Sequence, residues 1–173
     1  MYNLNIYLDL NNYYRVFDDQ NQFRIKREAN AVSKIFELID SNKFKLCGSF
    51  VLENENNNNT YLKNKLHIQL IFSKWSFNIG FETFIIEKTK KIIELSNAGT
   101  YDALHLVCAA CGNCEYFITC DDRFIKTINA NIEKLHGIIG RIKMFNPCDF
   151  IEKEMENNEI TRIKHLNSTY YSV

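Results

Sequence analysis

LNIYLDLNN, residues 4–12, is an apolar and aromatic run that stops at a polar pair, Asn11 and Asn12. Residues 4–10 combine β-branched, aromatic and aliphatic side chains, as a strand covered on both faces would. Such strands belong to parallel sheets with helices above and below, so this stretch already points to the α/β class. Asp9 falls at the carboxyl end of the predicted strand.

The neighbouring segments agree with that reading. Ala31, Val32, Ile35, Phe36 and Ile39 recur at helical spacing with Lys34, Glu37 and Asp40 between them, which predicts a helix with one apolar stripe. FKLC (44–47) reads as a second strand, after which Gly48 breaks the run and Ser49 offers an N-cap to a helix carrying Val51, Leu52 and Glu55. A further helix is expected over residues 61–75, while 77–84 fits neither period. Ile85, Ile86, Ile92, Ile93 and Leu95 predict an amphipathic helix ending at Asn97–Gly99. DALHLVCAACG (102–112) is nearly uncharged and is expected to be a buried central helix.

YFITC (116–120) reads as a third strand, followed by a helix over 123–134, a fourth strand RIKMF (141–145), and a last helix beginning near Asp149. Strands alternating with helices, without tight hairpin signals, predict a three-layer α/β/α fold with a central, mostly parallel four- to five-stranded sheet. One domain over residues 1–152 and a polar tail over 153–173 are expected from the 173-residue length and the change in composition.

Lys and Arg number 21, as do Asp and Glu, giving a net charge of +0. That balance excludes a protein that clings to polyanions through bulk charge, though not a local basic groove. No basic segment followed by an apolar core opens the chain, and no apolar run is long enough to span a bilayer, so a cytoplasmic protein without a membrane partner is expected. The Asn-rich ENENNNN (53–59) reads as compositional drift at exposed positions.

Parallel sheets form their crevices where strand carboxyl ends meet helix amino ends. Asp9 and Asp121 end strands, Asp102 opens the buried helix, and Glu55 lies on the helix after the second strand; these carboxylates are expected to converge at one sheet edge. Taken singly, Asp9, Asp121 and Asp122 suit turns, Asp102 suits a helix cap, and Glu55 suits a solvated face. Their shared edge is what the plain readings leave unexplained. Gathered carboxylates raise one another's pKa, a conflict that a divalent cation removes. Oxygen donors without clustered histidines suit Mg²⁺ or Mn²⁺, which activate water against a phosphodiester.

The same segments resemble the PIN-domain nucleases, including VapC-type toxins and stand-alone bacterial relatives. The resemblance is carried by IYLD (6–9) continuing to RVFDD (15–19), by SFVLENE (49–55), by YDALHLVCA (101–109) and by YFITCDDRF (116–124), and spans roughly residues 4–150. It implies a PIN-like fold and a Mg²⁺- or Mn²⁺-dependent endoribonuclease hydrolysing RNA phosphodiester bonds. Asp9, Glu55, Asp102 and Asp121 would be its acidic quartet, with Asp122 as an adjoining metal ligand. Glu55 is preferred to Glu53 for lying six positions after Ser49. The resemblance further implies a homodimer and a toxin held by an antitoxin protein.

Cys108, Cys111 and Cys114 mimic an iron–sulfur spacing, which would make a Cys-ligated metal or redox protein, but on a predicted buried helix they read better as small apolar residues. Arg24, Lys26 and Arg27, Lys88, Lys90 and Lys91, and Arg123 and Lys126 are candidate phosphate contacts or solvated faces. Tyr13 and Phe17 suit base stacking or core packing. Asn11 suits a ligand-water contact or a local cap, Thr119 strand packing or an orienting contact to Asp121, and His105 a core histidine with one nitrogen satisfied. A non-catalytic RNA-binding or assembly module would keep the fold without the chemistry.

Overall fold

The computed structural model describes residues 4–156. The chain forms β1 (Leu4–Leu8), α1 (Leu10–Tyr14), a 3-10 turn (Arg15–Phe17), α2 (Phe23–Asp40), β2 (Phe44–Ser49), α3 (Phe50–Asn57) and α4 (Leu62–Phe72). There follow β3 (Phe77–Ile79), α5 (Thr83–Ser96), α6 (Thr100–Cys111), β4 (Tyr116–Ile118), α7 (Asp122–Ala130), α8 (Ile132–Ile139) and β5 (Lys143–Phe145). A last helix, α9, runs over 147–156.

These strands make a five-stranded sheet in the order β3-β2-β1-β4-β5, with every pairing parallel. The fold is three-layer α/β/α. Strand alternation assigns the faces. Tyr7 is in register with Cys47 and Phe117, and its ring stacks on Phe117 and meets His105 of α6. Ile6, one residue earlier, points the other way beside Tyr116, which with Phe44 holds Phe150 of α9. Both faces of β1 are therefore core, and Ile6, Tyr7 and Leu8 are fully buried.

The chain leaves β1 toward β2 on one side, and β4 later docks on the other. The carboxyl end of β1 is thus a switch point, where the flanking connections diverge and leave a crevice.

Boundaries depart from expectation for local reasons. β1 stops at Leu8 because Asp9 turns to cap α1. β4 ends at Ile118 because the Thr119 hydroxyl is drawn to the Asp9 carboxylate. The helix expected over 123–134 is two, α7 and α8, meeting at Asn131 with φ −116° and ψ 11°. Ser49 caps α3 as expected, accepting from Leu52 N at 3.3 Å, and Asn97 ends α5 in the left-handed region at φ 57°. The expected domain boundary at residue 152 falls within α9, where Glu154 is buried and pairs with Lys43 at 2.9 Å; residues 157–173 of the expected tail lie outside the described residues. No described helix is long and apolar enough to cross a membrane.

Candidate active site at the carboxyl edge of the sheet

Asp9 is the centre of the crevice. As N-cap of α1 it accepts from Leu10 N on Oδ1 at 2.7 Å, while Oδ2 accepts from Asn11 Nδ2 at 2.6 Å and from the Thr119 hydroxyl at 2.8 Å. Asn11 also donates to Thr119 Oγ1 and accepts from Cys120 N, tying the ends of β1 and β4 together. The fully buried Asn12 completes the tie by donating to the carbonyls of Asp9 at 3.0 Å and Ile118 at 2.7 Å. Burial pushes the Asp9 carboxyl above its ordinary range, against the pull of His105 and the Thr119 hydrogen bond, and the Glu55 charge adds to the rise.

Glu55 reaches the same place from α3. Its Oε2 lies 2.6 Å from His105 Nε2, which is 3.7 Å from Asp9 Oδ1. Glu53, the rejected alternative, points instead toward Asn78. His105 is the residue that sequence reasoning undervalued: both its nitrogens are engaged, with Nδ1 2.7 Å from the Tyr7 hydroxyl and that hydroxyl 2.6 Å from Ser49 Oγ. With neutral His105 the protons run Ser49 to Tyr7 to Nδ1, and Nε2–H donates to Glu55. With charged His105 the order at Tyr7 and Ser49 reverses, and no bond is lost. Burial disfavours the imidazolium, but the Glu55 hydrogen bond and the Asp9, Glu55 and Asp102 charges outweigh it and raise the His105 pKa.

Asp102, in the first turn of α6, lines the same depression as Asp9, Glu55 and His105. Desolvation raises its pKa first, and repulsion from Asp9 and Asp121 adds to it. A Cβ on the preceding cap residue, Gly99, would stand 2.7 Å from Asp102 Oδ2, so glycine there leaves the carboxylate its room. Asp121 lies further out: its Oδ1 accepts from Arg123 N and Phe124 N, each at 2.9 Å, and it shares a polar cleft of about 450 Å³ with Asp102 and Arg123. Asp122 is not with them. It faces the other way, paired with Arg24 at 3.0 Å and near Asn146 Nδ2 at 3.3 Å.

The donor set fits a divalent cation. Ligand atoms of Asp9, Glu55 and His105 all lie within 4.8 Å of one another, the one such group of His, Cys, Asp and Glu among the described residues. The thiols gather no comparable group there. Cys108 and Cys114 are buried, and burial pushes the Cys108 thiol up to about 12, far from a thiolate ligand at neutral pH. Of the basic residues, Arg24 is committed to Glu28 and Asp122, and Arg27 stands near Glu152. Tyr13 is core, accepting from Trp75 Nε1, and Phe17 meets His67 edge-on.

No family model matches the chain, and no curated protein matches it. Among solved structures, the chain is similar to VapBC2 from Rickettsia felis bound to a DNA fragment from their promoter, with TM-score 0.53 and 13% identity over 83% of this chain and 98% of that chain. It is also similar to FitAcB from Neisseria gonorrhoeae, with TM-score 0.53 and 16% identity over 82% of this chain and 97% of that chain. At such identities the likeness shows the fold. Membership of the PIN-domain nuclease family, expected from the motifs, is corrected by these findings: no family model matches, and neighbours at 13% and 16% identity show the fold alone, so that family is not supported. The physical reason is that the motifs are short. An acidic residue at a strand end, and another opening an apolar helix, are placements that a parallel sheet with a crevice invites by itself.

Proposed function

We propose that this chain is a metal-dependent ribonuclease that hydrolyses RNA phosphodiester bonds, and that it serves as one member of a toxin–antitoxin pair with a protein partner. The observation that carries the chemistry is the convergence of Asp9, Glu55 and Asp102 on one depression whose single basic side chain is His105. Asp9 and Glu55 would hold Mg²⁺ or Mn²⁺ through carboxylate oxygens, with Asp102 in the same depression, while His105 Nε2 stays engaged with Glu55. The bound ion would supply a water activated for attack and neutralise charge on the phosphate.

The chain's own residues do the rest. Thr119 and Asn11 fix the Asp9 carboxylate with neutral donors, and His105, backed by Tyr7 and Ser49, fixes Glu55. Arg123, which lines a cleft with Asp102 and Asp121, would receive a phosphate oxygen of the incoming strand. The toxin–antitoxin role rests on the two neighbouring complexes, which share this fold.

Single-stranded RNA incubated with the protein and Mn²⁺ should be cut, and both EDTA and Asp9→Asn should abolish the cutting. Equal cleavage by Asp9→Asn, or RNA binding with no cleavage in any metal, would overturn the proposal. Relief of growth arrest by co-expression of a neighbouring gene tests the paired role.

A further inference from the structure

Beside the acidic depression lies a second cleft of about 480 Å³, lined by Leu10, Tyr14, Glu55, Asn58, Asn59 and Tyr101. Leu10, Tyr14 and Glu55 line both hollows, so the two are continuous. Their chemistry differs. The first is charged; the second offers aromatic rings and side-chain amides.

The Asn-rich stretch acquires a purpose in this cleft. Tyr14 donates its hydroxyl to Asn56 Oδ1 at 2.9 Å and accepts from Asn59 Nδ2, and the buried Asn56 is itself anchored by donating to Lys65 O at 3.1 Å. Asn59 Oδ1 accepts from Tyr61 N at 2.8 Å. One wall is thus a tyrosine ring fixed by two amides. Asn58, between these anchors, has a side-chain amide without a hydrogen-bond partner among the described residues. Tyr101, 49% exposed on the first turn of α6, has a hydroxyl without one. A fixed ring, a second ring free to close and an uncommitted amide suit a flat, polar-edged aromatic ligand.

Resting on the reading that the chain acts on RNA, we infer that this cleft holds one unpaired nucleobase next to the phosphodiester to be cut, with Tyr14 and Tyr101 as stacking surfaces and Asn58 reading the base edge. Aromatic side chains stack bases splayed out of single strands, whereas a base paired and stacked in an A-form helix has no free face to offer them. An asparagine amide matches adenine, whose N6 donates and N7 accepts, so adenine is the favoured occupant. Glu55 at the shared border places the base beside the carboxylates. The arrangement selects single-stranded, adenine-containing RNA.

The test measures fluorescence anisotropy of labelled oligoadenylate and oligouridylate in EDTA, with RNA cleavage in Mn²⁺ followed in parallel and folding checked by circular dichroism. Wild type should bind oligoadenylate more tightly. Tyr101→Ala should weaken that binding about tenfold, and Asn58→Ala should remove the preference for adenine. If folded variants bind both oligomers as wild type does, or if wild type has no preference, the base pocket is overturned even though wild type still cuts RNA. If binding depends on Tyr101 and Asn58 while wild type fails to cut RNA in Mn²⁺, the ribonuclease reading falls and the base pocket stands.

Discussion

Glu28 and Asp9 are both nearly sealed from solvent, at 2% and 7% exposure, yet their surroundings treat charge in opposite ways. Glu28 accepts from Arg24 Nε at 2.8 Å and from Asn146 Nδ2 at 3.0 Å, and Arg15 Nε stands 3.0 Å from its other oxygen, as an ion pair off hydrogen-bond alignment. The two arginines continue to Asp18 and Asp122, so each charge in this cluster is answered within it. Asp9 is held mainly by neutral donors, which fix its geometry without cancelling its charge, and further carboxylates crowd round it. The first arrangement is a clamp between α2, the turn after α1 and the start of α7. The second gathers carboxylates that, on the function proposed above, a divalent cation would balance.

Substitutions can break that contrast. Asp9→Asn should reduce RNA cleavage in Mn²⁺ by about 10²–10³-fold, comparable to losing a key electrostatic group in other active sites. Thermal stability should change little, because the Asn oxygen still caps α1 and the acceptor lost to its NH2 group is offset by removing a buried charge. Glu28→Ala should do the reverse. It strands Arg15 beside the core and should cost about 3 kcal/mol in urea denaturation, with the cleavage rate of the folded protein little changed. A large loss of activity in Glu28→Ala at full stability would erase the distinction.

Tyr7→Phe sharpens it further. The variant deprives His105 Nδ1 and Ser49 Oγ of a buried partner, which should cost about 1–2 kcal/mol and slow cleavage about tenfold through a loosened Glu55. A Tyr7→Phe protein with normal cleavage would reduce the relay to packing.

The pH dependence has the subtlest signature. Asp9 and Asp102 have raised carboxyl pKa values, so the fold gains a penalty as pH rises from their ordinary range through the raised one. His105 is also raised, and its contribution is full below the ordinary imidazole range and lost as pH rises through the raised one. All these shifts have the same sign. Metal-free protein should therefore melt at higher temperature on the mildly acidic side of neutrality than on the alkaline side, with Mn²⁺ narrowing the gap. Equal melting temperatures across that range would show the carboxylates are independent.

Much of this was legible in the sequence because it depends on local pattern. Continuous apolar runs marked β1 and β4, Ser49 announced α3, and the carboxylates at element ends lay where a parallel sheet opens. Residues 77–79 were not legible, since a short edge strand carries little periodicity. The first turns of α2 were missed because Phe23, Arg24 and Lys26 precede its apolar stripe. Tyr7 and His105 looked like ordinary core residues, and Ser49 like a helix cap alone. Tyr7 is 42 positions from Ser49 and 98 from His105, and only the packed fold joins them. Asp122 misled for the converse reason: adjacency to Asp121 in sequence becomes an opposite orientation once α7 begins.

The hydrogen bond from Thr119 to Asp9 spans 110 positions. β1 emerges early in synthesis, but the Asp9 carboxylate has no Thr119 partner until β4 has been made and docked beside it. The site is therefore among the last parts of the molecule to be assembled, and a growing chain carries it only once translation has passed the middle of its length by a wide margin. On the function proposed above, cleavage would begin only after β4 has docked beside β1, so chain connectivity alone would hold the activity back during synthesis.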